Sequence, residues 1–346
     1  MTHDMTAAMR RATELVRGGD PAAATALIQS ALNGTAAPAP KAEPRRLGAL
    51  LKARRPGAEP ALARPLPDGA RFAAGTFACG AGQRDYRVFV PDLGGAPAAG
   101  LVMMLHGCTQ SPVDFANGTD MNRIAAAHRL VVVYPAQARG ANMQSCWNWF
   151  SPTDQLRDTG EPAILAGLAQ KMQQEHGVPA GRVYVAGLSA GAAMAVILGQ
   201  TYPEVFAAVG AHSGLPYRAA HDVGSAFAAM RQTDPARGTA QVRQVPTIVF
   251  HGLADATVHP ANGARIAAEA GISGAEVEDR GGSGARTWTR TTVLAEGGAA
   301  LEHWRVAGLG HAWSGGQSSG TYADPAGPDA SAEMVRFFLD LPAKGH

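Results

Sequence analysis

From about residue 70 onward, short apolar runs alternate with stretches whose apolar positions recur at helical spacing. The runs are Arg87–Val90, Leu101–Leu105, Leu130–Tyr134, Arg182–Ala186, Val205–Gly210, Thr247–Phe250 and Trp304–Val306. Near-continuous apolar runs of this length predict strands covered on both faces. Helices are predicted between them near 119–129, 161–176, 190–201 and 259–270, with a last one over 328–340. The alternation implies an α/β fold, a mostly parallel central sheet with helices on both faces. In such folds reactive residues sit on loops at the carboxyl ends of the strands.

Upstream the pattern changes. Residues 5–32 are alanine-rich, with Leu15, Ala23, Leu27 and Leu32 near helical spacing and Pro21 dividing the region into two short helices. From Ala36 to Pro67 the chain turns to Ala, Pro, Arg and Gly, a linker composition. The expected organisation is a short helical N-terminal extension over 1–35, a linker over 36–70 and a catalytic domain over 71–346. The extension reads either as a poorly ordered tail or as a helical hairpin that docks on a partner or on the domain.

Composition narrows the function. Of the 346 residues, 46% are hydrophobic and 17% charged, a globular balance. A formal net charge of +2 gives no electrostatic case for nucleic acid or an anionic membrane as partner. The one basic cluster, with Lys41, Arg45, Arg46, Lys52, Arg54 and Arg55, reads as a solvated linker. No apolar stretch approaches the roughly 20 residues of a membrane helix. Arg10, Arg11, Glu14, Arg17 and Asp20 interrupt the N-terminus, so no secretory leader is legible and the expected location is the cytoplasm. Three cysteines, Cys79, Cys108 and Cys146, have no zinc-type spacing, and no metal is expected.

Two segments fit the pattern G-x-S-x-G, Gly187–Gly191 around Ser189 and Gly316–Gly320 around Ser318. Context separates them. Ser189 follows a predicted strand and precedes a small-residue helix, the strand–turn–helix elbow that holds a serine exposed and strained. Ser318 lies in a Gly/Ser loop with no strand before it. A serine hydroxyl needs a base, and the base needs a partner that fixes its tautomer. In this fold the order along the chain is Ser, then Asp or Glu, then His. Asp255 lies just past the strand Thr247–Phe250, whereas its rival Asp279 sits in a Gly/Arg-rich stretch. His311 follows the last strand in a glycine-rich loop, while His251 and His303 fall on or beside strands. The catalytic set expected is therefore Ser189, Asp255 and His311. The backbone amides of Ala190, next to the nucleophile, and of Cys108, after the strand Leu101–Leu105, are the expected oxyanion donors. His106 is expected to shape that loop.

With these residues in place, the chain resembles the poly(3-hydroxybutyrate) depolymerase-like esterases, a branch of the α/β-hydrolases, over roughly residues 75–340. The motifs are His106–Gln110, Cys146–Phe150, the elbow at 187–191, His251–Asp255, Gly310–Gly315 and Pro328–Ser331. The resemblance implies hydrolysis of 3-hydroxyalkanoate polyesters, their oligomers or short acyl esters without metal or cofactor. It implies that Trp147, Trp149 and Trp313 wall the acyl cleft and that Cys108 pairs with Cys146 in a disulfide. It also puts an extracellular location beside the cytoplasmic one. Secreted depolymerases usually carry a leader and a polymer-binding domain; neither is legible here, which favours soluble oligomers or small esters. Feruloyl or acetyl-xylan esterase activity is the first alternative, and a non-catalytic protein that binds polyester granules the second.

Overall fold

The computed structural model describes residues 60–232, 243–295 and 298–342. The chain divides into two compact units, Met1–Pro56 and Gly57–His346, and every described residue belongs to the second. The helical extension over 1–35, the basic cluster and most of the linker therefore lie outside the described residues.

A ten-stranded sheet runs in the order β1-β2-β4-β3-β5-β6-β7-β10-β9-β8. Its centre consists of β4 (Leu130–Pro135), β3 (Gly100–Leu105), β5 (Val183–Leu188), β6 (Ala208–His212), β7 (Thr247–Gly252) and β10 (Gly298–Val306). All neighbours in that centre pair in parallel. Antiparallel strands flank it, β2 (Gly82–Val90) and β1 (Arg71–Cys79) on one side, β9 (Arg286–Ala295) and β8 (Ala275–Ser283) on the other.

Alternation along the buried strands feeds two cores. Leu101, Met103, Leu105, Val131, Val133, Val183 and Val185 point to one face. There they pack with residues of α3 (Gly160–Glu175) and α4 (Ala190–Thr201). Val102, Met104, Leu130, Val132 and Tyr134 point to the other face. That face is covered by α1 (Pro112–Thr119), α2 (Met121–Ala127) and α7 (Ala330–Asp340). The remaining α-helices among the described residues are α5 (Val223–Met230) and α6 (Ala261–Glu269).

Several expectations are corrected. The helix expected at 119–129 is the shorter α2, which begins after Asp120, whose left-handed φ of 52° separates it from α1. The strand expected at Val205–Gly210 begins at Ala208, since Val205 and Phe206 close a turn onto the Tyr202 carbonyl. β1, β8, β9, α1 and α5 had no counterpart in the pattern. The three strands form half-exposed antiparallel flanks in which polar and small residues interrupt any apolar run. The last part of the expected linker, residues 60–70, is tied to the body. Asn117 accepts from the Ala63 amide at 2.9 Å and donates to the Ala61 carbonyl at 3.0 Å, while Leu62 and Leu66 pack on the second core.

Candidate active site

β5 ends in the elbow. Ser189 sits at φ 57°, ψ −119°, a conformation a non-glycine residue occupies only under constraint. The constraint comes from its neighbours. A Cβ on Gly187 would lie 2.4 Å from the Gly191 backbone, and one on Gly191 would lie 2.0 Å from the Leu105 carbonyl. Only glycine lets α4 start this close to β3 and β5. The Ser189 amide donates to the His212 carbonyl at 2.9 Å, fixing the turn against the end of β6.

Asp255 and His311 meet. His311 Nδ1 donates to Asp255 Oδ2 at 2.8 Å, and the other carboxylate oxygen accepts the amides of Thr257 and Val258, both at 2.9 Å. With Nδ1 carrying the proton, Nε2 keeps a free lone pair, as a general base requires. Burial alone would raise the Asp255 pKa. Hydrogen bonds from His251 and His311, the charge of His311 and the Val258 amide outweigh it and hold the carboxyl far below the ordinary range. The two loops are stitched together, the Leu253 amide to the Val306 carbonyl at 2.9 Å and the Ala254 amide to the Leu309 carbonyl at 3.0 Å.

One residue overlooked in the sequence links the turn at Ser189 to the loop of His311. His212 lies fully buried at the end of β6, stacked between Phe250 and Trp313. Its carbonyl holds Ser189, and its Nε2 accepts the Ser314 amide at 3.0 Å, three residues beyond His311. A histidine closing an apolar strand, on the side where such folds place their sites, was the available signal.

The loop after β3 faces the elbow, for a Cβ on Gly107 would sit 3.7 Å from the Ser189 Cβ. Gln110 Oε1 accepts the Gly107 amide at 2.9 Å, and Cys108 is joined to Cys146 by a disulfide. His106 shapes this loop from beneath, its Nδ1 donating to the Gly107 carbonyl at 2.8 Å and its Nε2 accepting the Gln137 amide at 3.1 Å. Ala190 opens α4, so its amide lies among the first N–H groups of a helix, which lack intrahelical acceptors.

Trp147 and Trp313 are placed otherwise than the resemblance implied. Trp147 and Trp313 are 0% and 1% exposed, so neither offers a wall to a ligand. Trp147 donates to the His106 carbonyl at 3.1 Å, and Trp313 donates to Ser331 Oγ at 3.1 Å. Both are core residues whose indole N–H groups tie loops to the body. Trp149, also buried, packs edge-on against Phe150. The second G-x-S-x-G segment is a packing device. A Cβ on Gly316 or Gly320 would come within 2.4 Å or 2.3 Å of the Gly118 backbone.

Burial keeps three further histidines neutral, lowering His106 to about 4, His212 to about 3 and His303 to about 4. In the unfolded chain each takes up a proton near 6.5. Their contribution to stability is therefore complete above about pH 6.5 and is lost as the pH falls toward 4 and then 3. Glu161, whose carboxyl burial raises, acts in the opposite sense, one group against three. At roughly 1.4 kcal/mol per tenfold, His106 alone accounts for on the order of 3 kcal/mol. The melting temperature should drop steeply between pH 7 and pH 5 in scanning calorimetry. A constant value over that range would show that these histidines protonate without penalty.

Residues 85–288 match the family described as Esterase PHB depolymerase. The chain belongs to that family. Among curated relatives, poly(3-hydroxyalkanoate) depolymerase C of Paucimonas lemoignei is 38% identical over 181 residues, 49% of this chain and 44% of that protein. The chain thus spans less than half the length of that depolymerase. Feruloyl esterase B of Neurospora crassa is 28% identical over 247 residues, 64% of this chain and 81% of that protein. Among solved structures, an acetyl xylan esterase from Aspergillus awamori superposes with a TM-score of 0.52 at 19% identity, covering 66% of this chain and 89% of that one. That likeness supports the α/β-hydrolase fold.

Proposed function

We propose that this family member is a serine ester hydrolase in which Ser189 attacks, His311 moves the proton and Asp255 holds His311. The observation that carries the proposal is the 2.8 Å bond from His311 Nδ1 to a carboxylate anchored by two amides, with His212 bonded both to the Ser189 amide and to the Ser314 amide three residues past His311. Ser189 Oγ adds to the ester carbonyl carbon while His311 Nε2 takes its proton. The amides of Ala190 and Cys108 receive the developing oxyanion. The intermediate collapses, the alcohol leaves with the proton from His311, and an acyl-serine remains. Water, deprotonated by His311, adds to that ester. Collapse returns Ser189 and releases the acid.

The substrates proposed are hydroxyalkanoate polyesters and their oligomers, supported by the family match and the depolymerase relative. The feruloyl esterase, matched over more of its length, favours aryl or acetyl esters of sugars as the second reading. The Cys108–Cys146 disulfide supports an oxidising compartment over the cytoplasm. Among the described residues no helix is long and apolar enough to cross a membrane. Product release from amorphous poly(3-hydroxybutyrate), hydroxybutyrate oligomers, and feruloyl and acetyl-xylan esters, with Ser189→Ala as blank, tests the assignment. Release from polymer or oligomers is expected. Release from sugar esters alone would keep the mechanism and replace the substrate, and no release from any would remove both.

A further inference from the structure

Glu161 is a carboxylate, 3% exposed, at the start of α3, and none of the chemistry above uses it. Its environment is unusual in consisting of donors from three separate segments. Oε1 accepts from Arg84 of β2 at 3.2 Å, from Asn148 Nδ2 at 2.8 Å and from Gln137 Nε2 in a short contact. Oε2 accepts the Asn148 amide at 2.8 Å. The ionised carboxylate, an acceptor at both oxygens, is the form matched to this set. The Glu161 amide is itself held by Asp154 Oδ1 at 2.8 Å.

From Glu161 the contacts lead to the oxyanion loop by two routes. Gln137 Nε2 also donates to the Cys146 carbonyl at 2.8 Å, and Cys146 is bonded to Cys108. Through its backbone, Gln137 donates to His106 Nε2 at 3.1 Å, which leaves the ring proton on Nδ1, where it meets the Gly107 carbonyl at 2.8 Å. That carbonyl and the Cys108 N–H belong to one peptide unit. Because the unit is planar and trans, holding its oxygen also aims its N–H, in the opposite direction. His106 thus sets the line along which the Cys108 amide points, and Gln137 sets His106.

We propose that Glu161 is a positioning residue for ester hydrolysis, acting through Gln137 and His106 to aim the Cys108 amide at the oxyanion. The proposal rests on the assignment of Cys108 as an oxyanion donor. A buried acceptor at this point fixes three segments at once, and a mis-aimed donor weakens the transition state far more than the bound substrate. The effect should therefore appear in kcat and not in KM.

The test is Glu161→Gln, which keeps the shape but turns an N–H₂ group toward donors. Gln137→Ala is the second variant, should the first fail to fold. Both are compared with the full-length wild type on p-nitrophenyl butyrate, with an alkylboronic acid as mimic of the tetrahedral intermediate. Amide exchange of residues 105–110 is followed by mass spectrometry. The expected result is a kcat loss of at least tenfold, short of the roughly 10²–10³ for deleting one donor outright. KM should stay within about twofold of wild type, a tolerance set well below the ground-state change of a lost binding contact. Boronic acid affinity should fall in proportion to kcat, and exchange at 105–110 should rise. Unchanged kcat, or a raised KM at full kcat, would overturn the proposal. An inactive wild type would sink the esterase assignment instead. Exchange would then decide, unchanged protection at 105–110 showing that Glu161 does not hold the loop.

Discussion

Ser189→Ala is expected to lower kcat by on the order of 10⁵–10⁶, by analogy with other serine triads, while the protein stays folded. The substitution deletes one oxygen from a residue whose Cβ the elbow already accommodates. The strained backbone at φ 57° is held by Gly187, Gly191 and the His212 carbonyl, none of which depends on the hydroxyl. What is lost is the atom that becomes the acyl carrier, so the residual rate comes from the oxyanion donors and substrate binding alone. Ser318→Ala is the matched control. Ser318 is exposed, in a loop whose glycines serve to pack against Gly118, and its removal should leave kcat within about twofold, as for an exposed side chain with no role in the packing. Hydrolysis of p-nitrophenyl butyrate reads both. Survival of most activity in Ser189→Ala, or its collapse in Ser318→Ala, would overturn the choice of nucleophile.

Asp255→Asn is expected to cost about 10⁴ in kcat, about 5.5 kcal/mol of barrier, with little change in KM. The direction follows from the two amides. Thr257 and Val258 donate to Oδ1 at 2.9 Å, so the amide oxygen of asparagine takes that position and its N–H₂ group faces His311. A donor there meets a ring nitrogen that must accept, which moves the imidazole proton from Nδ1 to Nε2. The base then presents a proton to Ser189 where it needs a lone pair. The same substitution removes a buried charge whose partners include His251 at 3.5 Å, so stability need not fall with activity. Steady-state kinetics at pH 8 and a thermal melt separate the two effects. A kcat within tenfold of wild type would show that His311 does not depend on Asp255 for its tautomer.

Residues whose chemistry is local were legible in the sequence. The elbow around Ser189 is written in five consecutive positions, and the apolar strands on either side of it carry their own signal. Asp255 and His311, hydrogen-bonded at 2.8 Å, could be paired in advance because each follows a strand recognisable by itself. The flanks were illegible for the converse reason. β8 and β9 are long strands of polar, glycine-rich and charged residues, stable as a hairpin only because β10 offers an edge to pair with. Trp147 and Trp313 misled because an aromatic near a candidate site residue has the same sequence signature whether its ring faces a cleft or the core.

By itself the sequence determined the class of sheet and the strand–turn–helix at Ser189, since these depend on period and glycine spacing. The tertiary structure alone decided that Trp147 and Trp313 are core residues. It alone disclosed that His212 joins the serine turn to the Ser314 amide, 102 residues away, and that one buried carboxylate, Glu161, gathers donors from three segments. Each of those is a contact between residues distant in the chain. Such contacts follow from how the layers close on one another, and no local pattern of side chains encodes them.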